Sequence, residues 1–156
     1  MVTNVLAWTG VVPAAMTPYF AAFWCGFGWW RRHRAATYAM MFLTVAIIGV
    51  AAAVAHERLF AARLVPPWPV QAIGWLLIAF AWILGWIADR QLGLRVRSFA
   101  PFFDEHGRID LVTTGAYRVV RHPIYAAGIA WQLGIALVTG IAAVAAAAAV
   151  SIAGAA

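Results

Sequence analysis

Four long runs, at about 5–30, 35–55, 70–88 and 124–156, contain no Asp, Glu, Arg or Lys, and every charged side chain lies between them. About 20 apolar residues in helical form span roughly 30 Å, the thickness of a bilayer's hydrocarbon core. Within that core a segment must satisfy its own backbone hydrogen bonds, which favours helices over open strands. The runs therefore predict an all-α fold, a polytopic membrane helix bundle of four to five transmembrane helices. No internal repeat divides the chain, so residues 1–156 read as one transmembrane domain.

Composition agrees. The chain is 65% hydrophobic and only 10% charged, with mean hydropathy +0.86, whereas soluble domains are about 25% charged. All 11 basic residues are Arg, which removes Schiff-base and P-loop lysines and the enzyme classes that need them. Cys25 is the sole cysteine, so no intramolecular disulfide or CxxC metal or redox motif is possible. The calculated pI near 10.8 would suggest nucleic acid in a soluble protein. Here the Arg residues flank apolar runs, where positive charge marks the cytoplasmic side, and no nucleic-acid partner is expected. The N-terminus has no basic stretch ahead of its apolar run, so a removable signal peptide is not expected.

The first run reads as a helix at about 5–30, kinked by Pro13 and Pro18. A second helix covers 35–55 and ends at His56, Glu57 and Arg58. Pro66, Pro67 and Pro69 read as a rigid connector, with Trp68 at headgroup depth, before a third helix at 70–88. Residues 89–122 form a polar loop. The last run is too long for one crossing; Thr139-Gly140 offers a break into a helical hairpin, 123–138 and 141–156. Its second arm is nearly all Ala and stops at Ala156 without a charged or aromatic anchor, as though the natural end were absent.

Arg31, Arg32 and Arg34 follow the first run and six Arg occupy the polar loop, against Arg58 and Arg63 in the connector. The positive-inside rule then puts loop 89–122 in the cytoplasm and the N-terminus outside.

Most motif checks fail. The Gly26–Gly28 stretch GFG lacks the third glycine of a dinucleotide fingerprint, and His56 begins HER rather than HExxH. No metal site is expected. The remaining candidate is LVTTGAYRVVRHPIYAAG, from Leu111 to Gly128. Pro123 suits the first turn of a helix and pushes His122 out of helical geometry, placing it at the N-cap. Free N–H groups there, with Arg118 and Arg121 nearby, suit an anion such as a carboxylate. Tyr125 and Gly128 share a helical face, so the glycine would leave room beside the ring. Asp104, Glu105 and Asp110 read as a solvated loop or as contacts for a cationic ligand. Each of these residue types also occurs as an ordinary membrane-boundary anchor.

The pattern G-x-Y-x-x-x-R-H-P-x-Y, carried by Gly115, Tyr117, Arg121, His122, Pro123 and Tyr125, resembles the membrane methyltransferases related to isoprenylcysteine carboxyl methyltransferase and to phospholipid N-methyltransferases. The resemblance runs from about the third helix to Gly140. It implies S-adenosylmethionine as cofactor, bound at the cytoplasmic face, and methyl transfer to a carboxyl, amine or thiol group of a lipophilic substrate reached from the bilayer. Carried over by residue, it assigns cofactor binding to Tyr117, His122, Pro123, Tyr125 and Gly128, and a catalytic or substrate-anion role to Arg118 and Arg121. Members of that family continue into a cytoplasmic tail with an Arg-rich, paired-Glu motif; the sequence ends before one, which reads as a truncation or a degenerate member. Two other functions remain open: an NADPH-dependent membrane sterol or steroid reductase, similar in the same Arg-His-Pro-x-Tyr region, and a non-catalytic small membrane protein holding anionic lipid through its Arg loop. The oligomeric state is not legible.

Overall fold

The computed structural model describes residues 2–15, 25–97, 103 and 112–155. Among them the chain is helical, in seven elements: α1 (Val2–Ala15), α2 (Phe27–Arg32), α3 (Arg34–Leu59), α4 (Trp68–Arg97), α5 (Ala116–Val119), α6 (Pro123–Thr139) and α7 (Ala142–Ala155). The all-α expectation holds. Two stretches, Arg34–Ala51 in α3 and Trp68–Gly93 in α4, are long and apolar enough to cross a membrane, while α6 and α7 are shorter apolar helices. Full-length spans therefore number two among the described residues, where four to five were expected.

Only 6% of the α3 stretch and 17% of the α4 stretch are buried within the molecule. Phe42, Val54, Trp75, Leu76 and Ile83 are all exposed. Leaving such side chains in water forgoes about 1.5–3 kcal/mol each. These helices need hydrocarbon around them, and the molecule is a membrane protein.

Boundaries moved where capping chemistry outweighs hydropathy. The first run is not one described helix: α1 contains Pro13 near its end, and α2 starts separately after Gly26. Pro18 lies outside the described residues. α3 carries on through His56, Glu57 and Arg58 to Leu59, because polar side chains at a helix end can point into solvent without breaking the backbone ladder. α4 begins at Trp68, with Pro69 in its first turn, where a missing N–H costs nothing. It also runs past Ala88 to Arg97, with one non-helical residue, Gly93, at φ 70°. The first part of the expected polar loop is thus helix.

The hairpin break falls where expected. Gly140 caps α6 in the left-handed conformation, φ 64° and ψ 17°, its N–H donating to the Ala136 carbonyl at 2.8 Å. The connector ahead of α4 lies against this turn. The Leu64 N–H donates to the Gly140 carbonyl at 2.9 Å, and the Ala142 N–H to the Ala62 carbonyl at 3.0 Å. Arg63 Nε donates to the Thr139 carbonyl at 3.1 Å.

α4 packs most extensively against α6, running antiparallel to it. α1 closes the bundle on α6 and α7, with Ala7, Ile78, Ile135, Ile141 and Val144 at the core. Trp131 Nε1 donates to the Thr9 carbonyl at 3.3 Å, a second tie between α1 and α6. Gln132 of α6 is 1% exposed, and neither polar atom of its side chain has a partner. At the opposite end from the hairpin turn, the Arg34 guanidinium lies 5.5 Å from the ring centre of Phe103 and 5.8 Å from that of Tyr38. Phe103 of the second Arg-rich segment thus lies against the first.

Candidate functional site

The end of α4, the single turn α5 and the start of α6 come together at the end that holds Arg34 and Phe103. His122 takes the N-cap position of α6, with φ −131° and ψ 69°, and Pro123 occupies its first turn. Both placements are as the proline argument predicts. The His122 side chain makes no capping bond and lies against Tyr125, ring centres 5.6 Å apart and planes 28° apart. Tyr117, His122, Pro123, Ile124 and Tyr125 line one recess of about 180 Å³. Four of the five residues expected to bind cofactor therefore share one recess.

The fifth, Gly128, is elsewhere. It lines a groove of about 370 Å³ between α4 and α6, with Ala81, Trp82, Gly85, Trp86, Asp89, Ile124, Ala127 and Trp131. No atom stands within 4 Å of where a Gly128 Cβ would be, so the glycine does leave space. That space belongs to the tryptophan-lined groove and not to the recess of Tyr125, a correction to the expected pairing. Ile124 lines both and separates them. The larger groove lies within the usual 300–1,000 Å³ of small-molecule sites, and the smaller recess falls below it.

Arg118 and Arg121 are exposed and line neither cavity. Asp104, Glu105 and Asp110 lie outside the described residues. Among the described residues no three His, Cys, Asp or Glu side chains gather as a metal site would require.

Several residues of this region were not singled out from sequence. Trp82, Trp86 and Asp89 follow one another at i, i+4 and i+7, so one face of α4 presents two indoles and then a carboxylate. Ala81 and Gly85 on the adjoining line are small enough to admit α6, and a Cβ on Gly85 would meet the Ala127 Cβ at 3.6 Å. That spacing was visible, but it sat in a segment read as an ordinary span. Arg90 lays its guanidinium 3.9 Å over the Trp86 ring. Gln91 Oε1 accepts a hydrogen bond from the Ala116 N–H at 3.1 Å, a contact 25 residues apart in the chain that no local pattern announces.

Electrostatics at the site centre on Tyr117. Burial pushes its phenol above the usual tyrosine value, and the nearby Asp89 carboxylate adds to the shift, since both oppose a phenolate. The Tyr117 hydroxyl stays protonated at neutral pH and remains a hydrogen-bond donor.

The family model for phospholipid methyltransferases matches residues 70–155, more than half of the chain and every residue that lines the two cavities. The chain belongs to the phospholipid methyltransferase family. No curated protein and no solved structure matched it. Family and exposed apolar helices together define a membrane protein of methyltransferase type.

Proposed function

We propose that this protein is an integral membrane S-adenosylmethionine-dependent methyltransferase acting on a lipophilic substrate with a carboxyl, amine or thiol acceptor. The observation that carries the proposal is the joining of Tyr117, His122, Pro123 and Tyr125 in one recess, beside an apolar groove that reaches the lipid-facing surface of α4. Each cavity offers a different chemistry. The recess has two phenols, an imidazole and the free N–H groups at the start of α6, suited to the polar carboxylate end of the cofactor. The groove has three indoles and small residues at its floor, suited to an apolar body.

When bound, S-adenosylmethionine supplies an electrophilic methyl group. His122 and the α6 N-terminus hold its carboxylate, and Tyr117, Pro123 and Tyr125 pack along it. Gly128 keeps the groove open beside Ile124. Arg118 and Arg121, exposed next in sequence to Tyr117 and His122 of the recess, receive an anionic group of the substrate, a task for which the guanidinium fork is well shaped. Alignment and exclusion of water by Trp82, Trp86 and Trp131 supply most of the acceleration expected of such a site. In this account N-terminus and loop positions follow the Arg distribution, with the site at the cytoplasmic face.

The test is transfer of a labelled methyl group from S-adenosylmethionine into organic-extractable material by membranes containing the protein. Label above the level of membranes lacking it, and lost in His122→Ala, is expected. Equal label with and without the protein contradicts the assignment.

A further inference from the structure

Gly115, the first residue of the G-x-Y pattern, has φ 56° and ψ −126°, a conformation that residues with a Cβ rarely adopt. A Cβ built there would overlap the side-chain amide of Gln91. The next N–H, that of Ala116, donates to Gln91 Oε1 at 3.1 Å. The positive φ, which favours glycine, and the amide bond to Gln91 thus seat the turn that carries Tyr117 on the end of α4. The bond Gln91 receives is with the first N–H of α5, a helix of four residues too short to hold itself in place. Gln91 stands two residues beyond Asp89, which lines the groove, and two before Gly93, where α4 departs from helical geometry.

We infer that Gln91 is a positioning residue: its side-chain amide latches the 115–118 turn to α4 and so fixes Tyr117 across the recess from His122 and Tyr125. The inference rests on the proposed function for its consequence, cofactor affinity, but the latch itself is independent of it. It also supplies the physical reason for the glycine that opens the motif. The turn comes within hydrogen-bond distance of α4 with Gly115 at φ 56°, a conformation that favours glycine.

The test compares Gln91→Met, which keeps the length and loses the acceptor, with Gln91→Glu, which keeps an acceptor oxygen. Amide exchange over residues 115–117 is measured in nanodiscs, together with tyrosine titration, S-adenosylmethionine affinity and thermal midpoint. With an unchanged midpoint, Gln91→Met is expected to raise exchange by about tenfold, to bring the Tyr117 ionisation down as the phenol loses burial and then the Asp89 carboxylate, and to weaken cofactor binding by about five- to tenfold. Gln91→Glu is expected to stay close to wild type in exchange and affinity. Wild-type exchange in Gln91→Met, or exchange in Gln91→Glu as fast as in Gln91→Met at an unchanged midpoint, overturns the latch. If Gln91→Met does not fold, Gln91→Glu alone decides, by keeping or losing protection of the Ala116 amide. If the wild-type protein binds no S-adenosylmethionine, the proposed function fails, and the exchange and titration results still decide the role of Gln91.

Discussion

Gly74 and Gly134 meet backbone to backbone where α4 crosses α6. A Cβ on Gly74 would stand 2.8 Å from the Gly134 carbonyl oxygen, and one on Gly134 would stand 2.7 Å from the Gly74 carbonyl oxygen. The contact is reciprocal, so neither helix can yield to a side chain on the other without backbone movement. Small residues at such crossings let membrane helices approach closely, where dispersion and not the hydrophobic effect holds them together. This crossing sets the distance between the walls of the groove higher up, where Gly85 faces Ala127.

Gly134→Ala is expected to destabilise the protein by about 1–3 kcal/mol, the range for inserting a methyl group into a packed site. Gly49→Ala, with nothing within 4 Å of the added carbon, is expected to be neutral or to stabilise α3 slightly through helix propensity. Thermal unfolding of both in the same detergent checks the contrast.

Gln132 carries the opposite sign. Its amide is enclosed without a partner, and a buried polar group left unsatisfied costs about 1–3 kcal/mol. Gln132→Met, close in shape and without the amide, is expected to raise stability by about 1 kcal/mol, measured as a higher thermal midpoint.

At the far end, Gly140 combines φ 64° with a close approach to the Leu64 carbonyl. Gly140→Ala is expected to strain the cap and push the connector off the hairpin turn, lowering the midpoint more than Gly134→Ala does. Faster amide exchange at Leu64, whose N–H is held by the Gly140 carbonyl, is the local readout.

Tyr117 gives a pH prediction. Its folded pKa is raised by burial first and by Asp89 second, so the native state holds a proton that the unfolded chain releases. The contribution is constant below the unfolded tyrosine value of about 10 and stability falls as pH rises from there through the folded value. Asp89→Asn is expected to bring the folded value down part of the way, leaving the share due to burial. Ultraviolet titration of phenolate, with Tyr117→Phe subtracted to remove Tyr19, Tyr38 and Tyr125, measures it.

The helices were legible because charge is confined between the apolar runs, and the α6–α7 hairpin because Thr139-Gly140 interrupts an Ala-rich run. The motif was legible for a similar reason: Pro123 fixes the helix start, and His122 at its N-cap follows from that. What hydropathy hid was the length of α4. Asp89, Arg90 and Gln91 look like the start of a loop, yet each has its side chain turned to a partner or a cavity while the backbone stays helical. The cavity beside the motif was hidden too, since Trp82, Trp86 and Trp131 sit inside apolar runs that read as ordinary spans until α6 is laid against α4. The Gly115–Gln91 contact is set by tertiary packing and has no local signature.

Equilibrium binding of S-adenosylmethionine and of NADPH to the purified protein in nanodiscs, with His122→Ala as control, tests the central claim most directly. The account predicts saturable binding of S-adenosylmethionine, weakened at least about tenfold by His122→Ala, and no competition by NADPH. Saturable binding of NADPH with none of S-adenosylmethionine, or S-adenosylmethionine binding that His122→Ala leaves unchanged, would contradict it.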